Sequence, residues 1–382
     1  MEEQVIKTKK GLFIRKDRIF GAIVFSPYSG LFFAVAKDYV EETLKYCNKQ
    51  NANLPDDIIK NLNIGTENAA KNFEIETQWL PDKQAFSYIE ELPDKYPIVI
   101  NWLISNKCFF KCNYCYASDV LSKEFENVNT KQIAENILEL QPLAVVLSGG
   151  EPLREKEKMI EAMNVLGGKV GIIIDTNGYN YDKELTDLFL KYKSVVRISL
   201  DTLRNEDIQK IRTLKDKKQD NNILDDTVSN ILKYRSKKIP VLIHTVVSSI
   251  NKNSFDDLYA NLPHLGINGW RIFSVINPND KERKESFEKL MTCGKAKNLT
   301  EAQEDIMKKI EIFNKSHISK SDFSLQIVHS SDTAKNSVIL VLPNGKIVTE
   351  SLFKLEKTEI HKDTLFKKVD LKGHYERYLG KI

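Results

Sequence analysis

Asn101-Trp102-Leu103-Ile104-Ser105-Asn106-Lys107-Cys108-Phe109-Phe110-Lys111-Cys112-Asn113-Tyr114-Cys115 holds three of the chain's five cysteines within eight residues. The apolar run Ile98–Ile104 reads as a strand, and the cysteines follow directly on its C-terminal end, the edge where active sites of parallel sheets gather. The spacing is C-x3-C-x2-C. A structural zinc site takes four ligands, usually as paired C-x2-C units, and none of the six histidines lies near this stretch in sequence. An odd count (Cys47, Cys108, Cys112, Cys115, Cys293) makes a poor disulfide framework. Three thiolates can instead bind three irons of a cubane and leave the fourth open for chemistry.

Outward from this stretch, short apolar runs alternate with amphipathic helical patterns. The runs are Ile98–Ile104, Ala144–Leu147, Val170–Ile174, Val195–Leu200, Val241–Val247 and Trp270–Ile276. Helical patterns lie between them, among them Lys131–Leu140, Lys183–Tyr192 and Leu224–Tyr234. Strand–helix alternation with apolar strands predicts an α/β fold with a parallel sheet covered by helices. Six units predict a partial (β/α)6 barrel over residues 93–280, because a closed eight-unit barrel needs about 250 residues.

Residues 1–92 read as a separate unit. Arg18–Phe25 and Leu31–Ala36 are strand candidates joined by the turn Ser26-Pro27-Tyr28-Ser29-Gly30. A helix follows from about Asp38, with Val40, Leu44 and Cys47 on one face, and Asn53-Leu54-Pro55-Asp56-Asp57 opens another. Hairpin, helix, helix is a winged-helix-like pattern, and the polar, Pro-punctuated residues 63–92 look like a linker with some local structure. Residues 281–382 form a small α+β region: a charged helical stretch to about 318, a hairpin at Ser337–Thr349 around Pro343-Asn344-Gly345, and a final amphipathic helix near Val369–Tyr378. The length of 382 residues suits two or three domains. Hydrophobic content of 41% and charged content of 29% suit a globular protein, and no apolar run approaches the roughly 18 residues of a membrane span. With no secretory signal visible, the cytoplasm is expected. A net charge of +4 gives no reason to expect nucleic acid as a partner.

The cysteine triad, with an aromatic residue (Tyr114) before its last member, resembles the signature of the radical S-adenosylmethionine (SAM) superfamily. Leu147-Ser148-Gly149-Gly150-Glu151-Pro152 resembles that family's GGEP motif, and Asp175-Thr176-Asn177-Gly178 and Ser199-Leu200-Asp201 close the next two strands in the family's order. The resemblance covers roughly residues 93–280. It implies one [4Fe–4S] cluster on Cys108, Cys112 and Cys115. It also implies SAM on the open iron and a 5′-deoxyadenosyl radical that abstracts hydrogen from the substrate. By the same resemblance Gly149 and Gly150 let backbone approach the methionine ammonium, Glu151 accepts from it, and Arg212 pairs with the SAM carboxylate. Ser199 and Thr176 touch SAM, Ile276 reads adenine, and Tyr114 stacks near the cluster.

Asn101–Cys108 and Trp270-Arg271-Ile272-Phe273 resemble the subgroup of peptide-modifying maturases and molybdopterin-type enzymes. Many of its members end in a SPASM domain with auxiliary clusters. Here Val341–Val348 resembles the SPASM hairpin, but Glu350 stands where the first cysteine is expected and only Cys293 follows Cys115, so the tail reads as a remnant without a cluster. The N-terminal unit resembles the recognition element of ribosomal-peptide (RiPP) maturases, which binds a leader peptide by strand addition. The implied function is modification of a ribosomally made precursor peptide, by epimerisation or cross-linking. Cys293 is then a candidate hydrogen donor, and flavodoxin or ferredoxin the kind of electron donor required. The alternatives are a radical SAM enzyme of small molecules or nucleotides, an RNA modifier, and a non-catalytic cluster-binding scaffold.

Overall fold

The computed structural model describes residues 5–64, 83–91, 96–126, 128–215, 222–274, 285, 288, 291–292, 299–317, 324–328, 337–350, 357–360 and 365–379. The chain opens with an antiparallel sheet in sequential order: β1 (Ile6–Lys7), β2 (Phe13–Asp17), β3 (Gly21–Ser26) and β4 (Leu31–Val35). The expected strand Arg18–Phe25 begins only at Gly21. Asp17 Oδ1 accepts from the backbone N–H of Ile19 (2.8 Å) and Phe20 (2.9 Å), which bends the chain into a turn that Gly21 completes at φ +87°. Helices α1 (Val40–Cys47) and α2 (Asp56–Ile64) follow.

Both faces of this sheet are covered, so β3 and β4 read as nearly continuous apolar runs. One face (Leu12, Ile14, Ala22, Val24) packs on Val40 and Cys47 of α1 and on Leu54, Ile58 and Leu62. Burial pushes the Cys47 thiol up to about 12, which suits a packed, unreactive side chain. The other face (Phe13, Ile23, Phe25) joins the main core. Arg15 lies on that face, 1% exposed, and donates to the carbonyls of Pro97 and Gln141, both at 2.8 Å.

The barrel comprises β5 (Val99–Ser105), β6 (Phe110–Cys112), α3 (Ser118–Leu121), α4 (Thr130–Glu139), β7 (Ala144–Gly149), α5 (Lys156–Leu166), β8 (Gly171–Thr176), α6 (Lys183–Tyr192), β9 (Val195–Ser199), α7 (Asn205–Ile211), β10 (Arg212–Leu214), α8 (Ile223–Ser236), β11 (Val241–Val247), α9 (Phe255–Asn261) and β12 (Gly269–Ser274). The strands β5, β7, β8, β9, β11 and β12 lie side by side in that order, every neighbouring pair parallel. Sequential parallel strands with helical crossovers curl one way, because such crossovers are right-handed. The result is the partial α/β barrel that the pattern predicts.

The C-terminal region extends this sheet at both ends. After α10 (Leu299–His317), β13 (Ser324–Val328) adds in parallel to β12. At the opposite edge β14 (Val338–Val341) adds in parallel to β5, then turns through Gly345 at φ +83° into β15 (Ile347–Glu350), which pairs with β16 (Lys357–Ile360). The short α11 (Leu365–Lys368) precedes α12 (Leu371–Leu379), which lies near the N-terminal strand ends. There His374 Nε2 accepts from Ile98 N–H at 2.9 Å, and its Nδ1 meets Ser337 O at 2.8 Å. Burial holds that ring neutral, pushing it down to about 3. Phe25 against Gly171, Gly30 against Leu242, and Tyr375 within reach of Arg15 place the N-terminal sheet and α12 together at the barrel floor, opposite the cysteine loop. No described helix is long and apolar enough to cross a membrane.

Candidate active site at the C-terminal strand ends

The loop after β5 carries Cys108, Cys112 and Cys115 over the barrel mouth. A two-stranded ribbon clamps it: β6 pairs antiparallel with β10, setting Cys112 opposite Arg212 and Phe110 opposite Leu214. Lys215 N–H donates to Phe109 O at 2.9 Å, and Arg154 donates to Cys108 O at 3.2 Å while lying over the Phe109 ring. Phe109 and Phe110 both meet Tyr179 edge-on, at 5.7 and 5.3 Å. None of the three cysteines is in a disulfide. Burial raises the thiols of Cys108 and Cys112, and Cys112 feels both other sulfurs. Among the described residues, no three His, Cys, Asp or Glu side chains converge on one metal ion. A cubane spreads its thiolates over separate irons, so a cluster does not need that convergence.

Gly149 and Gly150 end β7 against the same loop. Gly149 sits at φ +131°, and a Cβ there would come within 2.2 Å of Ser105 O; one on Gly150 would meet Lys107 O at 2.3 Å. The closeness is used: Gly150 N–H donates to Ser105 O and Glu151 N–H to Lys107 O, each at 2.7 Å. These glycines therefore bring the turn onto the backbone that leads into the cysteine loop, a reason separate from ligand approach. Gly149→Ala is expected to cost about 2–4 kcal/mol from backbone strain and overpacking. A denaturant titration checks it, and an unshifted midpoint contradicts it.

Glu151 is fully buried. Its carboxylate accepts from Thr176 Oγ1 (2.8 Å), Asn177 N–H (2.8 Å) and Leu153 N–H (3.1 Å). Burial outweighs these bonds and raises Glu151 to about 7. Thr176 thus holds Glu151, and beside it the buried Asn177 Nδ2 has no hydrogen-bonding partner.

Across the mouth, Asp201 is 1% exposed and gathers three elements. Its Oδ1 accepts from Val246 N–H at 2.9 Å. Its Oδ2 accepts from Arg212 Nε at 3.1 Å, from Arg212 Nη2, and from the Tyr114 hydroxyl. Burial and the Asp201 charge drive the Tyr114 hydroxyl pKa up, so it stays protonated and donating. Asp201 is the last residue of the Ser199-Leu200-Asp201 motif, and its part in joining these elements carries no signal in the sequence. Arg212 is 3% exposed and bonded to Asp201, with Cys112 close enough to act on its charge. Ser199 ends β9 in register with His244. Ile276 and Cys293 lie outside the described residues.

The described residues fit the groups that the motifs imply. Three thiols sit at the barrel mouth. A buried carboxylate forms no ion pair with any described cation, and an unbonded amide adjoins it. Such a carboxylate suits an ammonium, and the orphaned amide suits a further polar atom of a ligand.

The family model described as the Radical SAM superfamily matches residues 102–262. GTP 3′,8-cyclase of Helicobacter pylori (strain HPAG1) is 27% identical over 180 residues, 44% of this chain and 53% of that protein. The S-adenosylmethionine-dependent nucleotide dehydratase of Fibrobacter sp. (strain UWH6) is 26% identical over 205 residues, 50% of this chain and 59% of that one. The chain thus spans a little over half the length of these curated relatives. Crystal structures of Streptococcus suis SuiB, bound to S-adenosylmethionine and to the precursor peptide SuiA, align with TM-scores of 0.56 and 0.55 over 98% of this chain and 89% of SuiB, at 14% and 15% identity. That likeness is one of fold, from the first sheet to the last helix. Residues 102–262 therefore form a radical SAM domain, of the superfamily whose members work with a [4Fe–4S] cluster and S-adenosylmethionine.

Proposed function

We propose that this protein is a cytoplasmic radical SAM maturase of a ribosomally made peptide. Residues 1–92 serve recognition, residues 93–280 catalysis, and residues 281–382 form a SPASM-like remnant without a cluster. Cys108, Cys112 and Cys115 are the cluster ligands in this reading. Glu151 accepts from the SAM ammonium, with Thr176 and the Gly149-Gly150 turn holding it in place. Arg212, fixed by Asp201, presents positive charge to the SAM carboxylate; Ser199 contacts SAM, and Ile276 reads its adenine. When bound, cluster and SAM supply a 5′-deoxyadenosyl radical; the chain positions the substrate hydrogen and keeps water out.

The observation that carries the peptide reading is the match along nearly the whole chain to SuiB, which is known in complex with a precursor peptide. It is supported by β4, which pairs only with β3 among the described strands and leaves its other edge for an added strand. A labelled precursor peptide, of the kind encoded beside such a gene, should bind the full chain and lose most of its affinity without its leader. Equal binding of the leaderless peptide contradicts recognition by the N-terminal unit. A second reading, a nucleotide as substrate, is favoured by the curated relatives, both of them nucleotide enzymes. Under it, the nucleotide and not the peptide triggers 5′-deoxyadenosine formation.

Glu151 adds a pH dependence. Its folded value of about 7 lies above the ordinary 4.5, so the folded state binds the proton more tightly. The stability it contributes is fully present below pH 4.5 and is lost as pH rises to about 7, on the order of 3 kcal/mol in all. SAM, by bringing an ammonium, should return part of this. Thermal stabilisation by SAM is expected to be larger at pH 8 than at pH 6 and to lose that difference in Glu151→Gln. An identical pH profile in the variant contradicts the pairing.

A further inference from the structure

We infer that the outer face of the β6–β10 ribbon, with Arg154 beside it, is the docking surface for an acidic redox protein that delivers one electron to the cluster. The two faces of the ribbon differ. Phe110, Arg212 and Leu214 are buried on the inner face, which also carries Cys112. Lys111 and Thr213, opposite each other in register, are exposed on the outer one. The same alternation carries Lys215 outward, and it too is exposed, while its backbone N–H holds Phe109 O at 2.9 Å. Arg154, exposed as well, is anchored to the same loop through Cys108 O and the Phe109 ring.

The charge on this face is one-sided. Lys111, Arg154 and Lys215 pair with no carboxylate among the described residues. At the rim Lys107 holds Glu155 at 2.7 Å and Lys210 holds Asp207 at 3.3 Å, both lysines more than half exposed. Lys210 is itself tied to the loop, its carbonyl accepting from Asn113 Nδ2 at 3.3 Å. The whole chain carries a net charge of only +4, so these cations are a local concentration and not a share of a basic protein. Such a patch steers an acidic partner and raises its association rate by about 10- to 1,000-fold. Position selects a redox protein among acidic partners. The cysteine loop lies directly beneath this face, and a partner packed on it as sheets pack would stand about 10 Å from the inner side chains. The other end of the barrel is closed by the N-terminal sheet and α12, and an electron entering there must cross the strands, of which β5 with its seven residues spans about 20 Å. One electron moves: the partner's reduced flavin or iron–sulfur centre loses it and the cluster gains it, with no bond made or broken on this chain. The inference rests on the radical SAM reading of the site and not on a peptide as substrate.

The test is stopped-flow reduction of the cluster in the full chain, reconstituted without oxygen, which needs no substrate. Reduced flavodoxin and reduced ferredoxin, both acidic, are the protein donors, and photoreduced deazaflavin is the small-molecule control. At least one protein donor should reduce the cluster, at a rate that falls steeply between about 0.02 and about 0.5 M salt as the charges are screened. Lys111→Glu and Lys215→Glu should each slow that donor by about 10-fold and flatten the salt dependence, and Lys111→Gln should lose less. Deazaflavin should reduce every variant at the rate of the unaltered chain. The proposal is overturned if neither protein donor reduces a chain that deazaflavin does reduce, or if both charge reversals keep the unaltered rate and salt dependence. A variant slowed with deazaflavin as well would place its lysine at the cluster itself, and that too overturns the docking role.

Discussion

Cys112→Ala protein, expressed and reconstituted without oxygen, is expected to retain almost no iron and to make no 5′-deoxyadenosine. Cys112 has two ties that make this the most damaging of the three cysteine changes. It is a proposed iron ligand, and it sits opposite Arg212 in the ribbon that fixes the loop. Its thiol is raised by burial, with Arg212 the main opposing influence, so the site disfavours a free thiolate. Binding iron replaces the thiol proton, and with one of three ligands gone the remaining two cannot hold a cubane whose fourth iron is already open. The alanine keeps the backbone pairing of β6 and β10, so the fold should survive. Iron and sulfide analysis with circular dichroism separates the outcomes. A folded variant with full iron content contradicts the ligand assignment.

Asp201→Asn is expected to destabilise the protein by about 3–5 kcal/mol, the cost of removing one partner of a buried ion pair. Arg212 is left with its charge, 3% exposed, in a region with no other described carboxylate bonded to it. The Tyr114 hydroxyl and Val246 N–H lose the charged acceptor that joins the cysteine loop to β11. Urea unfolding of the cluster-free protein measures this without interference from iron. In the double variant with Arg212→Met the unpaired charge is gone, and most of the loss should be recovered. An unchanged midpoint in Asp201→Asn would mean that solvent reaches Arg212.

The barrel was legible because its strands announce themselves. Each is a short apolar run, and four of the six end in a chemically marked turn. The β6–β10 ribbon was not legible: Phe110-Lys111-Cys112 and Arg212-Thr213-Leu214 are three-residue segments without alternation, and only the tertiary fold brings them together. The N-terminal sheet showed its hairpin but not its role at the barrel floor. Arg15 and Phe25 act there through partners more than 80 residues away, such as Pro97 and Gly171. At Gly149 and Gly150 the missing Cβ leaves room for the backbone of Ser105 and Lys107, neighbours more than 40 residues earlier that the motif itself does not name. The lumen left a readable signal. Arg197, His244 and Arg271 interrupt runs that a doubly covered parallel strand should keep apolar. His244 and Arg271 stand directly opposite each other in register, and Arg197 is offset by two residues on the next strand.

In the proposed function this chain abstracts hydrogen from a peptide. The most direct measurement is the mass of a precursor peptide after anaerobic turnover in D2O with SAM and a reductant, with 5′-deoxyadenosine followed alongside. Peptide-dependent 5′-deoxyadenosine together with a gain of about one dalton is expected for epimerisation, and a loss of about two daltons for a cross-link. An unaltered peptide, with 5′-deoxyadenosine formed only when a nucleotide is supplied, would contradict the account.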